Sequence, residues 1–313
     1  MSSLDPELVA YFQDVAAHFA PLPSDATLPV RRGRYFSVVG LSKASLPSSV
    51  TINDVTLDLP CGSVSARLFY GHDDSDESVP TIIFFHGGGW VIGNTDTHTP
   101  SCAKLAHDAN ALVVSVDYPL APENDWRAIT EACWQAACAI ANDRPAGAPI
   151  AIMGDSAGAH LAQIVALRAR DESAFHIALQ ALIYPCIEPK FDTPSYEQFA
   201  MGPGLTRADM QWYWQQFAGN DQGANDYRIA PNRAASLAGL PPTYLVTAGL
   251  DPLRDDGRAH GSALKAANVQ VTHEEFATLP HGFLRMTKVS RATHDAVTQS
   301  NQTIGRLLRQ SST

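Results

Sequence analysis

No run of apolar residues in this chain approaches the ~18 that a membrane-crossing helix needs, which excludes a helical membrane protein as the reading. Cysteine is scarce and odd in number. The five, at positions 61, 102, 133, 138 and 186, have a spacing that fits neither a disulfide framework nor a zinc site. Reduced, mostly buried thiols are therefore expected, with a cytoplasmic location and no metal or cofactor. Positive charge is in deficit as well: 22 Lys and Arg face 32 Asp and Glu, a formal net charge of −10. Such a balance argues against nucleic acid or an anionic membrane surface as partner. The first residues carry Asp5, Glu7 and Asp14 and lack the basic and then apolar segments of a secretory leader. Asp73, Asp74, Asp76 and Glu77 crowd one polar stretch that reads as a solvated loop, and neither repeats nor low-complexity segments occur.

What is present is a βα rhythm. At 313 residues the chain can bury roughly 75% of its unfolded surface without a staple. Asp5 can cap a first helix with Pro6 in its opening turn and Leu8, Phe12, Val15 and Phe19 on one face. An irregular Pro- and Ser-rich stretch is expected from there to about Ser49. Alternation around Val55–Leu59 and Val64–Tyr70 predicts an antiparallel edge pair. Continuous apolar runs at 81–85, 111–116, 150–153, 177–184 and 243–248 read as strands buried on both faces, and 269–276 as the last strand. Helices are expected at 101–109, 126–140, 157–169 and 257–267, with a final one carrying Val289, Ala292, Ala296, Ile304 and Leu307. The rhythm breaks from Pro185 to about Pro231, where Thr206 and Asp209 resemble a capping box ahead of Met210, Trp214 and Phe217. Strands alternating with helices imply a mainly parallel sheet with helices on both faces and chemistry at the carboxyl ends of its strands.

The densest signal is Gly154-Asp155-Ser156-Ala157-Gly158, wedged between the run at 150–153 and the helix at 157–169 with no room for a loop. A serine on so sharp a strand-to-helix turn needs small neighbours, and Gly-x-Ser-x-Gly is the nucleophile-elbow pattern. Chance alone yields it on the order of 0.1 times in a chain this long, given ordinary Gly and Ser usage. A bland Gly-packed turn is the competing account, so the other strand ends must decide. After the run at 81–85 comes His86-Gly87-Gly88-Gly89-Trp90, where consecutive glycines let backbone amides approach a ligand. His86, ending the strand, suits orienting that loop better than acting as a base. After 243–248 comes Asp251, which could also cap the next helix. After 269–276 comes His281, one of eleven histidines. The order Ser156, Asp251, His281, each after a separate strand, is the chain order of the α/β-hydrolase arrangement. A serine hydroxyl needs such a neighbouring base to act as a nucleophile.

With these residues in view, the chain resembles the bacterial hormone-sensitive-lipase group of α/β-hydrolase esterases. The matching segments are His86–Gly89, Asp117-Tyr-Pro-Leu-Ala-Pro-Glu123, Gly154–Gly158, Asp251-Pro-Leu-Arg-Asp-Asp256 and His281-Gly-Phe283. The resemblance implies a mostly parallel eight-stranded sheet with helices on both faces plus a helical cap. Residues 1–49 would form the N-terminal cap segment and 50–313 the catalytic domain, with a cap insertion at about 186–231. It also implies Ser156 as nucleophile, His281 as base, Asp251 as its partner, and the amides of Gly88, Gly89 and Ala157 as the oxyanion hole. Asp155 reads as structural and Asp256 as a fallback acid. The chain departs from the family pattern at Pro119, where Arg is usual, at Asn124–Arg127, and at Ala159-His160 in place of Gly-Asn.

The expected activity is that of a serine carboxylesterase on uncharged short- to medium-chain acyl esters, through an acyl-enzyme. Phe191, Tyr196, Phe199, Met201, Trp212, Tyr213, Trp214 and Phe217 of the insertion are expected to pack the cap, the innermost lining an acyl pocket. His86-Gly-Gly-Gly-Trp90 also resembles the motif of arylformamidase-like amidases, which would use the same triad. A ligand receptor on this fold is the non-catalytic alternative, and retention of His281 speaks against it. The resemblance further suggests a homodimer through the last strand, while His273, Glu274 and Glu275 could equally blunt that edge.

Overall fold

The computed structural model describes residues 3–23, 25–71 and 79–310, so the acidic stretch Asp73–Glu77 lies outside the described residues. Eight strands form one sheet in the order β1-β2-β4-β3-β5-β6-β7-β8. The edge pair β1 (Thr51–Leu59) and β2 (Gly62–Tyr70) is antiparallel, as its alternation predicts, and β2 meets β4 (Leu112–Asp117) antiparallel too. From there the sheet is parallel through β3 (Thr81–Phe85), β5 (Ile150–Asp155), β6 (Leu179–Ile183), β7 (Thr243–Leu250) and β8 (Val271–Pro280). Burial follows position. The central strands β3, β5, β6 and β7 are buried at every residue, whereas the edge strands β1 and β8 alternate with exposed positions.

Two cores flank the sheet. On one side α4 (Trp126–Asn142) and α5 (Ala157–Glu172) bury Ile129, Cys133, Leu161 and Val165, joined by Leu264 of α8 (Arg254–Ala266). On the other, Leu105 of α3 (Thr95–Ala109) packs with Val297, Ile304 and Leu308 of α9 (Arg291–Gln310). Leu8 of α1 (Pro6–His18) is fully buried in that second core, and Asp5 caps α1 through the amides of Glu7 and Leu8. Among the described residues no helix is long and apolar enough to cross a membrane.

Three expectations are corrected. The stretch before Ser49 is not irregular: Leu28–Ser42 forms α2, with Pro29 in its first turn, where a missing N–H does no harm. Helix α3 begins at Thr95, six residues before the predicted start. Asn94 and Thr97 cap each other reciprocally, and Pro100, inside the helix, disguises the turn that precedes it. Met201 does not pack the cap but stands 89% exposed. The insertion otherwise folds as expected into α6 (Pro194–Gln198) and α7 (Arg207–Ala218), the latter opened by the Thr206–Asp209 capping box. Tyr196, Trp214 and Phe217 are buried, as is Phe199, while Phe191, Trp212 and Tyr213 are half-buried.

Candidate active site

Four strands end at one place. β3 stops at Phe85, β5 at Asp155, β7 at Leu250 and β8 at Pro280, so His86, Ser156, Asp251 and His281 are each the first residue beyond a parallel strand. Ser156 has φ 55° and ψ −119°, a conformation side chains rarely adopt, and sits just ahead of α5. The glycines of the motif make the turn possible by their missing side chains: a Cβ at Gly158 would run into the carbonyl of Phe85, and one at Gly154 into the backbone of Gly158.

The Ser156 Oγ lies 2.9 Å from His281 Nε2, and His281 Nδ1 lies 2.7 Å from Asp251 Oδ2. Asp251 is fully buried and its other oxygen accepts the Leu253 amide at 2.8 Å. With a carboxylate at Nδ1, that nitrogen carries the proton and Nε2 is left to accept from the serine. Asp256, also buried, makes no hydrogen bond to His281 among the described residues. Burial, reinforced by the negative charge of Asp251, pushes its pKa well up and favours its neutral form.

Above the serine, the glycine loop turns back on itself. Gly88 and Gly89 have φ of +125° and +59°, and the Gly88 carbonyl accepts the amides of Val91 at 3.1 Å and Ile92 at 3.0 Å. Among the described residues no acceptor takes the amides of Gly88, Gly89 or Ala157. The ring of Tyr213, from α7, presses on Gly89 so closely that a Cβ there could not be accommodated. Trp90, at φ +61°, is held by packing: its ring stacks on Phe217 at 4.3 Å and lies 4.5 Å from Trp214.

Buried polar groups brace the loop from below. Asp155 accepts the Gly87 amide at 2.8 Å and the Tyr184 hydroxyl at 3.3 Å, and approaches His98 Nε2 at 3.4 Å, an ion-pair separation without hydrogen-bond alignment. Burial alone would raise the Asp155 pKa, but His98, then Arg285 and the Gly87 amide, overcome it and hold the acid at about 2. His86 Nδ1 pairs with the Gly87 carbonyl at 2.8 Å while its ring stacks on Tyr118 at 4.3 Å. Burial, with His98 adding to it, lowers the His86 pKa to about 3. A neutral imidazole donating to the loop it precedes fits the orienting role expected for it.

Two of the departures from the family pattern contact the insertion. His160 Nε2 pairs with the Ile229 carbonyl at 2.9 Å, and its Nδ1 accepts from Trp90 Nε1 at 3.3 Å. Burial lowers its pKa to about 4, matching a neutral ring that donates on one side and accepts on the other. Trp126 Nε1 and the Arg127 guanidinium both reach Asp221, each at 3.1 Å. The N-terminal segment closes in as well: a Cβ on Gly204 would lie 3.5 Å from the Phe12 ring and 3.8 Å from the His281 carbonyl, and Arg31 covers Trp212 at 4.5 Å.

A family description, the alpha/beta hydrolase fold, matches residues 82–285. The chain belongs to the α/β-hydrolase family, of the hormone-sensitive-lipase type. It is 37% identical to "Esterase LipI" of Mycobacterium tuberculosis over 82% of both chains. It is 32% identical to the "Ethyl acetate hydrolase" of Pseudomonas putida, over 91% of this chain and 93% of that one. Among solved structures, a hyperthermophilic esterase from the archaeon Pyrobaculum calidifontis superposes with a TM-score of 0.90 at 31% identity, over 97% of this α/β-hydrolase and 98% of that one. Residues that pattern reading missed are His98, Tyr184 and Arg32, whereas Tyr213 is among the insertion aromatics it expects. None of those missed lies in a motif, and only their positions in space connect them to the serine.

Proposed function

We propose that this α/β-hydrolase is a serine carboxylesterase acting on small uncharged esters of short to medium acyl chain, by way of an acyl-enzyme. The observation that carries the reading is the continuous relay from Ser156 Oγ through His281 to buried Asp251, at 2.9 Å and 2.7 Å. The esterase names of the relatives support it.

His281 takes the serine proton as Ser156 attacks the ester carbonyl, and Asp251 fixes the imidazole tautomer and stabilises the imidazolium. General-base assistance of this kind contributes ~10²–10⁴-fold. The amides of Gly88, Gly89 and Ala157 receive the developing oxyanion, each worth ~10²–10³-fold where geometry is good. The alcohol leaves with the proton from His281, and water repeats the attack on the acyl-enzyme. Residues 1–49 and about 186–231 act together as the cap, with Phe12 near Gly204, Tyr213 against Gly89 and Tyr184 4.7 Å from the His281 ring supplying aromatic surface around the triad, which favours uncharged acyl groups.

The edge strand β8 is where a homodimer would pair. His273, Glu274 and Glu275 are occupied within their own subunit, by Thr247, Tyr244 and Arg258, so the edge is less defended than its charges suggest. The unpaired, buried Cys102, Cys133 and Cys186 fit a reducing, cytoplasmic compartment.

The test is hydrolysis of p-nitrophenyl esters from acetate to palmitate by wild type and Ser156→Ala. The expected result is turnover of the shorter esters and a loss of several orders of magnitude on substitution. Equal rates across the series would remove Ser156 from the chemistry.

A further inference from the structure

One side chain connects the N-terminal cap to the glycine loop. Arg32, in the second turn of α2, sends its Nε to the Val91 carbonyl at 2.9 Å and one terminal nitrogen to the Ala121 carbonyl at 3.2 Å. Its two terminal nitrogens also grip the Glu123 carboxylate at 2.7 Å and 2.8 Å. Four of the five N–H donors of a planar guanidinium are thus engaged between α2 and two segments of the catalytic core. Only a fork of fixed geometry can meet three such acceptors at once. The Arg32 side chain is 26% exposed and that of Glu123 53%, so the ion pair by itself contributes little to stability. The two carbonyl contacts are the informative ones.

The Val91 carbonyl belongs to the same planar peptide as the Ile92 amide, so holding one fixes the direction of the other. The Ile92 amide donates to the Gly88 carbonyl at 3.0 Å. That carbonyl in turn shares its peptide plane with the amide of Gly89, one of the donors proposed for the oxyanion. A second route runs in parallel: Ala121, whose carbonyl Arg32 holds, donates its own amide to the Trp90 carbonyl at 2.9 Å. Trp90 and both glycines have positive φ, so this backbone does not hold its shape on local preference alone.

We propose that Arg32 is a positioning residue, which aims the Gly89 amide at the oxyanion by pinning the Val91 and Ala121 carbonyls from the cap. Glu123 orients the guanidinium. The inference rests on the esterase reading above. It predicts that the cap contributes to transition-state stabilisation as well as to substrate enclosure, and that loosening α2 lowers kcat more than it raises KM.

The experiment compares wild type, Glu123→Gln, Arg32→Lys and Arg32→Met in p-nitrophenyl butyrate hydrolysis and in inhibition by an alkyl trifluoromethyl ketone. That ketone forms a tetrahedral adduct with the serine and needs the oxyanion donors. Expected kcat falls in the order written, with Glu123→Gln within about threefold of wild type and Arg32→Met down 10- to 100-fold, in the range of losing one oxyanion donor in part. KM should change less than about threefold. The ketone Ki should rise by the same factor by which kcat/KM falls. A loss of thermal stability with kcat and Ki unchanged overturns the proposal, since Arg32 would then only glue a helix. So does a change confined to KM. If Arg32→Met does not fold, Arg32→Lys and Glu123→Gln still decide, because a flat or inverted order contradicts the assignment. A wild type that neither turns over the ester nor binds the ketone refutes the esterase reading first, and this inference with it.

Discussion

Asp251 is the residue on which the proposed proton traffic depends. It is wholly buried, yet it accepts the Leu253 amide on one oxygen and His281 on the other, so both oxygens are partnered. Asp251→Asn keeps the shape and the Leu253 contact, but it can present an N–H to His281 Nδ1. The imidazole would then carry its proton on Nε2 and could not accept from Ser156. A drop in kcat of about 10⁴ is expected, as for the equivalent change in serine proteases, with little change in unfolding midpoint. Rates on p-nitrophenyl butyrate and a thermal melt of the same preparation check both halves. Asp256 makes no hydrogen bond to His281 among the described residues, and a near wild-type rate for Asp251→Asn would mean that it takes over as the acid. At this scale the sequence was highly legible. Ser156, Asp251 and His281 stand out because the proposed covalent chemistry demands particular side chains after particular strands. Arg32 and His98 do not, since they lie in no motif and act through contacts with residues distant in the chain.

At the scale of elements, the docking of α1 shows how a short N-terminal helix becomes part of the core. Asp5, its cap, also accepts the Ser290 hydroxyl at 2.9 Å, and Glu7 accepts the Arg291 amide at 2.7 Å, so the start of α1 caps the start of α9. Leu8 is completely buried in the second core. Leu8→Ala should destabilise the protein by ~2–5 kcal/mol, read from urea unfolding, while kcat at 25 °C changes little. Near-zero destabilisation would mean that α1 merely rests on the surface. The neighbouring α2 explains why part of the fold escaped prediction. Of its residues Leu28–Ser42, only Val39 and Ser42 are buried, so there is no apolar stripe to read. It is held instead by Arg32, by Arg31 over Trp212 and by Arg285 over Tyr35 at 5.0 Å, contacts with distant residues that no local window contains. The sheet strands were legible for the opposite reason. Burial on both faces leaves β3, β5, β6 and β7 few polar positions, and that pattern needs no partner to be seen.

For the whole molecule, the buried histidines set the response to acid. His86, His160 and His260 are held neutral by burial, with pKa values lowered to about 3, 4 and 4. Unfolded, each would titrate near 6.5. Between about pH 4 and 6.5 the unfolded chain therefore binds more protons than the native one, so stability rises with pH across that window and is lost as pH falls through it. Each histidine contributes a slope of about 1.4 kcal/mol per pH unit where only the unfolded form is protonated. Asp256, whose neutral form burial favours, offsets part of this because it keeps a proton that the unfolded chain releases. Melting temperatures measured from pH 7 down to pH 5 at constant ionic strength should fall steadily, whereas a level or rising profile would contradict neutral burial. Asp155, held at about 2, adds its own loss as pH falls from about 4 to about 2.

The aromatic cluster over the glycine loop has an optical consequence. Trp90 and Trp214 are fully buried with ring centroids 4.5 Å apart, one on the loop beside the serine and the other on α7 of the cap. His160, a ring that quenches indole emission when protonated, stands 5.0 Å from the first and 5.5 Å from the second. The protein therefore carries an intrinsic fluorophore pair across the contact between α7 and the glycine loop. Separation of α7 from the loop would wet both indoles and shift their emission to the red, so any such motion during a turnover is observable by stopped-flow fluorescence without an added label.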